Sequence, residues 1–336
     1  MKFKTTALLG AAALALMAGS ASAADLACLI TKNNTNPFFV KMKEGAEAAA
    51  TAAGMDFQAF AGEKDGDAAP QITAIENCVA AGAKGILITA SNDSVGPALK
   101  AARAAGILVI ALDTPLADAE AQDMTFATDN FEAGLLIGKW AAATLGAEVA
   151  NAKIGMLDIN KDNISVDVAR DTGFLVGFGI EVPDLKVMGS ETDPRVIGHE
   201  SSGANPEGGV TSVENLLAKN PDMNVVYTIN EPAAEGAFQA LTKAGKTGVL
   251  VVSVDGGCPG IASVKSGVIG ATSQQYPLKM AALGIDAIAA FAKDGTKPVA
   301  SEGLTFFNTG VNLVTDKPVE GVPSIDSTKG TELCWG

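Results

Sequence analysis

Short apolar runs alternate with alanine-rich, mixed-polarity stretches along nearly the whole chain. "LACLI" comes first and is followed by a predicted helix near 38–53; "MDFQAF" precedes one near 70–81, and "GILIT" one near 94–105. "ILVIAL" and "MTFAT" then lead to a helix near 130–145. The rhythm restarts with "KIGMLDI" and a helix near 166–178, then "LKVMG" and one near 208–219. "NVVYTI" leads to 232–244, "VLVVSV" to 259–266, and "VIGATS" to a long helix near 277–293. Uninterrupted apolar strands between helices imply parallel sheets covered on both faces. Two successive series imply an α/β protein of two doubly wound lobes rather than one overlong sheet. The expected division is 24–128 plus 276–306 for the first lobe and 129–275 plus 307–336 for the second. The stretch "ETDPRVIGHESSGANPEGG" (191–209) reads as a surface excursion, with His199 a solvated loop residue.

The segment ahead of the first strand changes the compartment. "MKFKTTALLGAAALALMAGSASA" has a basic start, a short apolar stretch and a small-residue end, the pattern of a secretory signal peptide cleaved before Ala24. Removing residues 1–23 leaves 313 residues and takes away two lysines and no acid, so the formal charge moves from −14 to −16. That length suits about two domains. The acidic balance argues against nucleic acid or anionic membrane as partner, because both attract basic faces. In an oxidising compartment four cysteines invite pairing. Cys258 and Cys334 are expected to tie the "DGGCPG" loop to the C-terminal tail, whereas Cys28 and Cys78 either pair or pack as thiols. With distant cysteines and a single histidine, no zinc pattern is present.

Ligands of open parallel sheets bind beyond the carboxyl ends of the strands, so those ends locate candidate chemistry. They carry Asn36, Phe38 and Phe39, then Asp113 and Thr114, then Asn230, Asp255 and Gln275, with Arg170 near the start of its helix. This set holds carboxylates, amides, one arginine and aromatic rings. A sugar calls for that mixture: its hydroxyls donate to ionised Asp and bond the planar forks of Asn, Gln and Arg, and its C–H faces stack on rings. Adjacent phenylalanines cannot both face the core comfortably, so at least one of Phe38 and Phe39 is expected to face the cleft. Asp129 and Asn130 are expected to cap the following helix, and Tyr276 and Trp140 to pack.

The motifs "NTNPFFVKMKEGAE", "VIALDTPL", "FATDN", "VVYTINEPAAEGAFQAL", "VSVDGGCPG", "GATSQQYP" and the terminal "CWG" resemble those of the type I periplasmic binding proteins that serve ABC sugar importers of the ribose and fructose kind, the fructose import members most of all. The resemblance runs from about Ala24 to the C-terminus. It implies two Rossmann-like lobes joined by a hinge of three crossings, a monosaccharide ligand, an inner-membrane permease as partner and a chemoreceptor as a further one. It also implies a periplasmic monomer with no cofactor and no catalysis. Asn36, Phe38, Phe39, Asp113, Arg170, Asn230, Asp255 and Gln275 correspond to the family's ligand contacts. Two departures follow. Ribose binders place arginine after the aspartate, where this chain has Thr114, and the second lobe's ring falls in 191–209, which holds no aromatic. Both enlarge the pocket, and the expectation is a hexose, fructose.

The rival readings are weaker on the residues. Asp113 and Asp255 as a glycosidase pair would need one raised pKa and a fitting separation. Nucleotide enzymes would need a phosphate loop that "TKNNTNPFF" does not supply. A DNA-binding regulator would need a basic face, and a sensor of a small furanosyl signal differs only in ligand.

Overall fold

Alternation along β1 (Leu26–Thr31) shows how both faces of a sheet come to be covered. Ala27 and Leu29 join one buried cluster, while Cys28 and Ile30 join another on the opposite side, as the two-residue period of a strand requires. In the computed structural model, which describes residues 24–336 apart from Asp65, the chain continues through α1 (Pro37–Ala53), β2 (Asp56–Ala61), α2 (Ala69–Ala80), β3 (Gly85–Ile88), α3 (Gly96–Ala104), β4 (Leu108–Leu112) and β5 (Met124–Ala127). The proposed signal segment, 1–23, lies outside the described residues. The second series runs α4 (Asn130–Leu145), β6 (Ile154–Asp158), α5 (Ser165–Gly177), β7 (Val196–Ser201), α6 (Pro206–Lys219), β8 (Val225–Thr228), α7 (Glu231–Lys243), β9 (Leu250–Asp255), α8 (Cys258–Ser266) and β10 (Ala271–Gln274). It closes with α9 (Pro277–Asp294), β11 (Phe307–Asn308), β12 (Asn312–Val314) and α10 (Ser327–Leu333).

Two six-stranded sheets result, ordered β11-β5-β4-β3-β1-β2 and β12-β10-β9-β8-β6-β7. Among the described residues every strand pairing is parallel except β10 with β12. The strand order reverses between β1 and β3 in one sheet and between β6 and β8 in the other, which creates a crevice at each switch point. The chain passes between sheets after β5, after β10 and between β11 and β12. The last passage differs from the expected boundary: Phe307 and Asn308 pair with Phe126 and Ala127 of the first sheet, so residues 307–308 do not go with the second lobe.

One strand was misplaced by pattern. "LKVMG" forms no strand, and Leu185 and Val187 are exposed. The strand beside β6 is β7, inside the stretch expected to be an excursion. As an edge strand pairing only with β6, it tolerates Gly, His and Glu where an interior strand would be continuously apolar. Both cysteine pairs are bonded, Cys28–Cys78 within the first lobe and Cys258–Cys334 between the α8 loop and the tail.

The two helices that carry the second lobe into the crevice cross at backbone contact. A Cβ on Gly134 would lie 2.0 Å from the Arg170 carbonyl oxygen, and one on Gly138 2.1 Å from that of Phe174. From the other side, Gly173 and Gly177 meet Phe131 and Leu135 backbone in the same way. Only glycine lets α4 and α5 approach this closely. Gly138→Ala should therefore destabilise the protein by about 1–3 kcal/mol through overpacking, despite alanine's better helix propensity of about 1 kcal/mol. Urea denaturation measures it; a stabilised variant would show that the crossing can relax.

Candidate functional site

The chain leaves β1 through a turn organised by Asn33, whose Oδ1 accepts from Thr35 N at 3.1 Å and Asn36 N at 2.9 Å. Asn36 then caps α1, its Oδ1 accepting from Phe38 N at 3.0 Å, and Pro37 starts the helix. This geometry delivers Phe38 and Phe39 to the crevice. As expected of at least one of them, both line the cavity, and both are also buried, at 5% and 6% exposure, in the core cluster under β1. Their rings meet edge to face, with centroids 5.5 Å apart. Phe38 is backed by Trp335 of the tail at 5.4 Å, which is how adjacent phenylalanines share one apolar niche. The Trp335 indole N–H donates to the Gln275 carbonyl at 2.8 Å, and the neighbouring Cys258–Cys334 bond anchors the tail.

Asp113 follows β4 with φ of 63°, a left-handed conformation that costs a non-glycine residue about 1 kcal/mol or more. Its Oδ2 accepts from Thr114 Oγ1 at 2.8 Å, whereas Oδ1 is buried without a hydrogen-bond partner. Thr114 is thereby turned toward Asp113 and does not line the cavity. Asp255, at the end of the matching strand β9, also has positive φ, 145°. Both lobes thus hold a carboxylate on strained backbone at the exit of their fourth strand.

Arg170 of α5 stands opposite. Its Nε donates to Asn130 Oδ1 at 2.7 Å, one terminal nitrogen to the Ile229 carbonyl at 3.1 Å, and the other to Gln275 Oε1 at 3.0 Å. That last nitrogen also lies 3.8 Å from Asp113 Oδ1, across the divide between lobes. Gln275 passes the chain on, its Nε2 donating to Asp255 Oδ1 at 2.9 Å. Arg170 does not pair with Asp167 or Asp171 of its own helix. Asn230 caps α7 through Ala233 N at 3.1 Å and donates to the Ala204 carbonyl at 3.1 Å.

These side chains converge on a cavity of about 50 Å³. Of the expected site residues only Thr114 is outside its lining, which also includes Lys32, Ile159, Val166, Ala204 and Ile229. A wider, more apolar groove of about 530 Å³ opens beside it, shares Asn36 and Asp255, and is walled by Pro37, Phe238 and Trp335. The smaller cavity is the candidate site, because the charged and amide groups converge there. Burial pushes the Asp255 carboxyl up to about 6 against the pull of the Arg170 guanidinium. Burial together with repulsion from Asp255 pushes neighbouring Glu231 up to about 8, although Thr272 and the Gly256 and Gly257 amides bond it.

Sequence reasoning missed several of these groups. Asn130 was expected as a cap; Asp129 alone caps α4, through Glu132 N at 3.0 Å, and Asn130 instead orients Arg170. Lys32, 6% exposed, is an ordinary post-strand lysine in sequence and a buried cavity residue in the fold. Trp335 lies some 300 positions from Phe38, and only the cysteine beside it signalled that the tail returns. His199 is no solvated loop residue: it lies in β7, held by Asp158 at 3.0 Å and Glu191 at 2.9 Å. Trp140 packs as expected, fully buried, with its N–H on the Lys317 carbonyl.

With the geometry in view, the chain can be compared with known proteins. A model of the periplasmic binding protein domain matches residues 27–297. A ribose import binding protein of Haemophilus influenzae is 32% identical over 284 residues, covering 84% of this chain and 91% of the relative. The D-allose-binding periplasmic protein of Escherichia coli is 29% identical over 290 residues, covering 83% and 88%. Among solved structures, a periplasmic solute-binding protein from Actinobacillus succinogenes with bound D-allose superposes with a TM-score of 0.75 at 23% identity, over 92% of this chain and 99% of that one. The strand-end architecture, the cavity between the lobes and these matches agree: the chain is a binding protein rather than an enzyme, and it belongs to the periplasmic binding protein family.

Proposed function

We propose that this protein is the exported solute receptor of an ABC sugar importer, that it binds a monosaccharide between its lobes, and that the lobe-closed form docks on an inner-membrane permease. The observation that carries the reading is the meeting of Asp113 from one lobe with Arg170, Gln275 and Asp255 from the other around a small polar cavity. Sugar hydroxyls donate to Asp113 Oδ1 and Asp255, and accept from the arginine and amide groups. Phe38 and Phe39 supply an apolar face for the ring. A ligand that touches both lobes stabilises the closed state relative to the open one, since only there are both sets of contacts made. A cavity of about 50 Å³ holds about four water-sized groups, fewer than a monosaccharide brings, so the lobes stand further apart around a bound sugar and part further to admit and release it.

Within that class we assign a hexose, fructose first. Thr114 takes no space from the cavity, and the stretch 191–209 contributes Ala204 rather than a ring to its lining. Ribose is the second reading, favoured by the 32% identity to a ribose import binding protein. Calorimetric titration of ligand-stripped protein with fructose, ribose, allose, mannose, glucose and galactose separates the two. Tight binding of fructose with much weaker binding of ribose supports the hexose assignment. A preference for ribose overturns it and leaves the receptor, and no heat from any sugar with folded protein defeats the receptor reading.

Asp113→Asn should weaken binding of the preferred sugar about 10- to 150-fold, the worth of a hydrogen bond to a charged group at about 1.5–3 kcal/mol. The fold should be unchanged by circular dichroism, and unaltered affinity would remove Asp113 from the site. The raised pKa of Asp255 sets a pH dependence. Hydroxyl donation favours the ionised carboxylate, so binding competes with protonation, and affinity should fall as pH drops below about 6. Titration at pH 5 and pH 7.5 measures it; a dependence that survives Asp255→Asn belongs to another group.

A further inference from the structure

A second cluster of ionisable side chains lies beside the cavity lining, on the adjoining face of α5, within the second lobe. Asp158 ends β6, Asp167 and Asp171 flank Arg170 on α5, His199 sits in β7, Glu191 precedes that strand and Tyr227 lies in β8. Asp167 and Asp171 are fully buried, and Asp158 is 4% exposed. Among the described residues both oxygens of Asp171 lack any hydrogen-bond partner, as do one oxygen each of Asp158, Asp167 and Glu191 and the Tyr227 hydroxyl. Buried polar atoms are nearly always bonded, and a concentration of unbonded acceptors points to a missing positive partner. The one recorded bond donor among the side chains facing Asp158 and Glu191 is the His199 ring.

We propose that Asp158, Asp171 and His199 bind one divalent first-row transition cation. Their ligand atoms all lie within 4.8 Å of one another, one atom from each residue. His199 Nδ1 is 3.0 Å from Asp158 Oδ2; two ligands each ~2.1 Å from a shared cation stand ~3.0 Å apart in octahedral and ~3.4 Å apart in tetrahedral coordination, so the pair needs little movement to hold one. Nε2, 2.9 Å from Glu191 Oε1, then donates its proton to that carboxylate. This is the outer-shell arrangement that fixes the tautomer and orientation of a metal-bound histidine. One imidazole nitrogen with two carboxylate oxygens suits zinc, cobalt or manganese better than calcium, which takes oxygen ligands throughout.

The cation ties β6, α5 and β7 together directly behind the binding wall. Arg170 is the residue before Asp171, and Asp167 Oδ2 accepts from the backbone N of Ile159 at 2.7 Å; both Arg170 and Ile159 line the cavity. Its role is to position that wall rather than to touch the solute.

The test uses chelator-stripped, tag-free protein and zinc ion alone, without any sugar, so its outcome does not depend on the transport reading. Calorimetry should give one equivalent with micromolar or tighter affinity, and Asp171→Asn and His199→Gln should each weaken it at least ~100-fold, with Glu191→Gln costing ~10- to 100-fold. Cobalt loading should give visible absorption bands distinct from those of cobalt in buffer, lost in His199→Gln. No uptake of either metal by the wild-type protein overturns the proposal, since the carboxyls are then satisfied by protons or water. Uptake undiminished in both variants also overturns it, by placing the metal on surface carboxylates. If the variants fail to fold, the wild-type cobalt spectrum decides: bands unchanged from buffer reject the site.

Discussion

The site depends on one buried guanidinium. Arg170 is 5% exposed, and removing such a charge from water costs several kcal/mol unless its donors are placed well. Its donors go to Asn130, to the Ile229 carbonyl and to Gln275, which come from α4, from the end of β8 and from the turn after β10. Satisfying one side chain therefore aligns three separate strand-end elements of the second lobe. The close crossing of α4 and α5 makes this possible, because Gly134 lets the Arg170 backbone approach the helix that carries Asn130. Replacing the arginine by lysine would keep the charge and lose the planar fork that reaches all three acceptors.

What the arginine leaves unfinished is on the other lobe. Asp113 Oδ1 lies 3.8 Å away, too far for a direct hydrogen bond, and has no other partner among the described residues. The attraction draws the lobes together without completing the contact. A solute that bonds both groups gains from each and removes the cost of an unbonded carboxylate oxygen. Strain at Asp113 and Asp255 fits the same purpose: positive φ aims a side chain from a strand exit where ordinary backbone would carry it past the crevice.

Much of this was legible from strand-end chemistry. Parallel α/β topology follows from continuous apolar runs, and ligand groups gather at the carboxyl ends, so Asn36, Asp113, Arg170, Asn230, Asp255 and Gln275 could be singled out and do line one cavity. The failures have physical causes. Asn130 resembled a cap because an Asx residue at a helix start usually is one, and only the position of Arg170 redirects it. That Phe38 and Phe39 line the cavity and yet both pack in the core depends on a distant tail residue, Trp335, which no local pattern reveals. β7 and His199 were hidden because an edge strand lacks the apolar signature of an interior one.

That misread strand bears on how the second lobe is built. At the first lobe's switch point buried Gln71 of α2 bridges the ends of β1 and β3, donating to the Thr31 carbonyl at 3.0 Å and the Thr89 carbonyl at 2.8 Å. In the second lobe β6, α5 and the edge strand β7 meet through Asp158, Asp171 and His199. A neutral amide link tolerates small shifts at modest cost, whereas displacing one partner of a buried charged group leaves a charge uncompensated. The wall that carries Arg170 is thus backed by electrostatic contacts. A rigid cation facing a carboxylate on the opposite lobe discriminates by hydroxyl position, since a misplaced hydroxyl cannot be accommodated by moving the arginine. Selectivity in such a site comes from the stiffness behind the contact as much as from the contact itself.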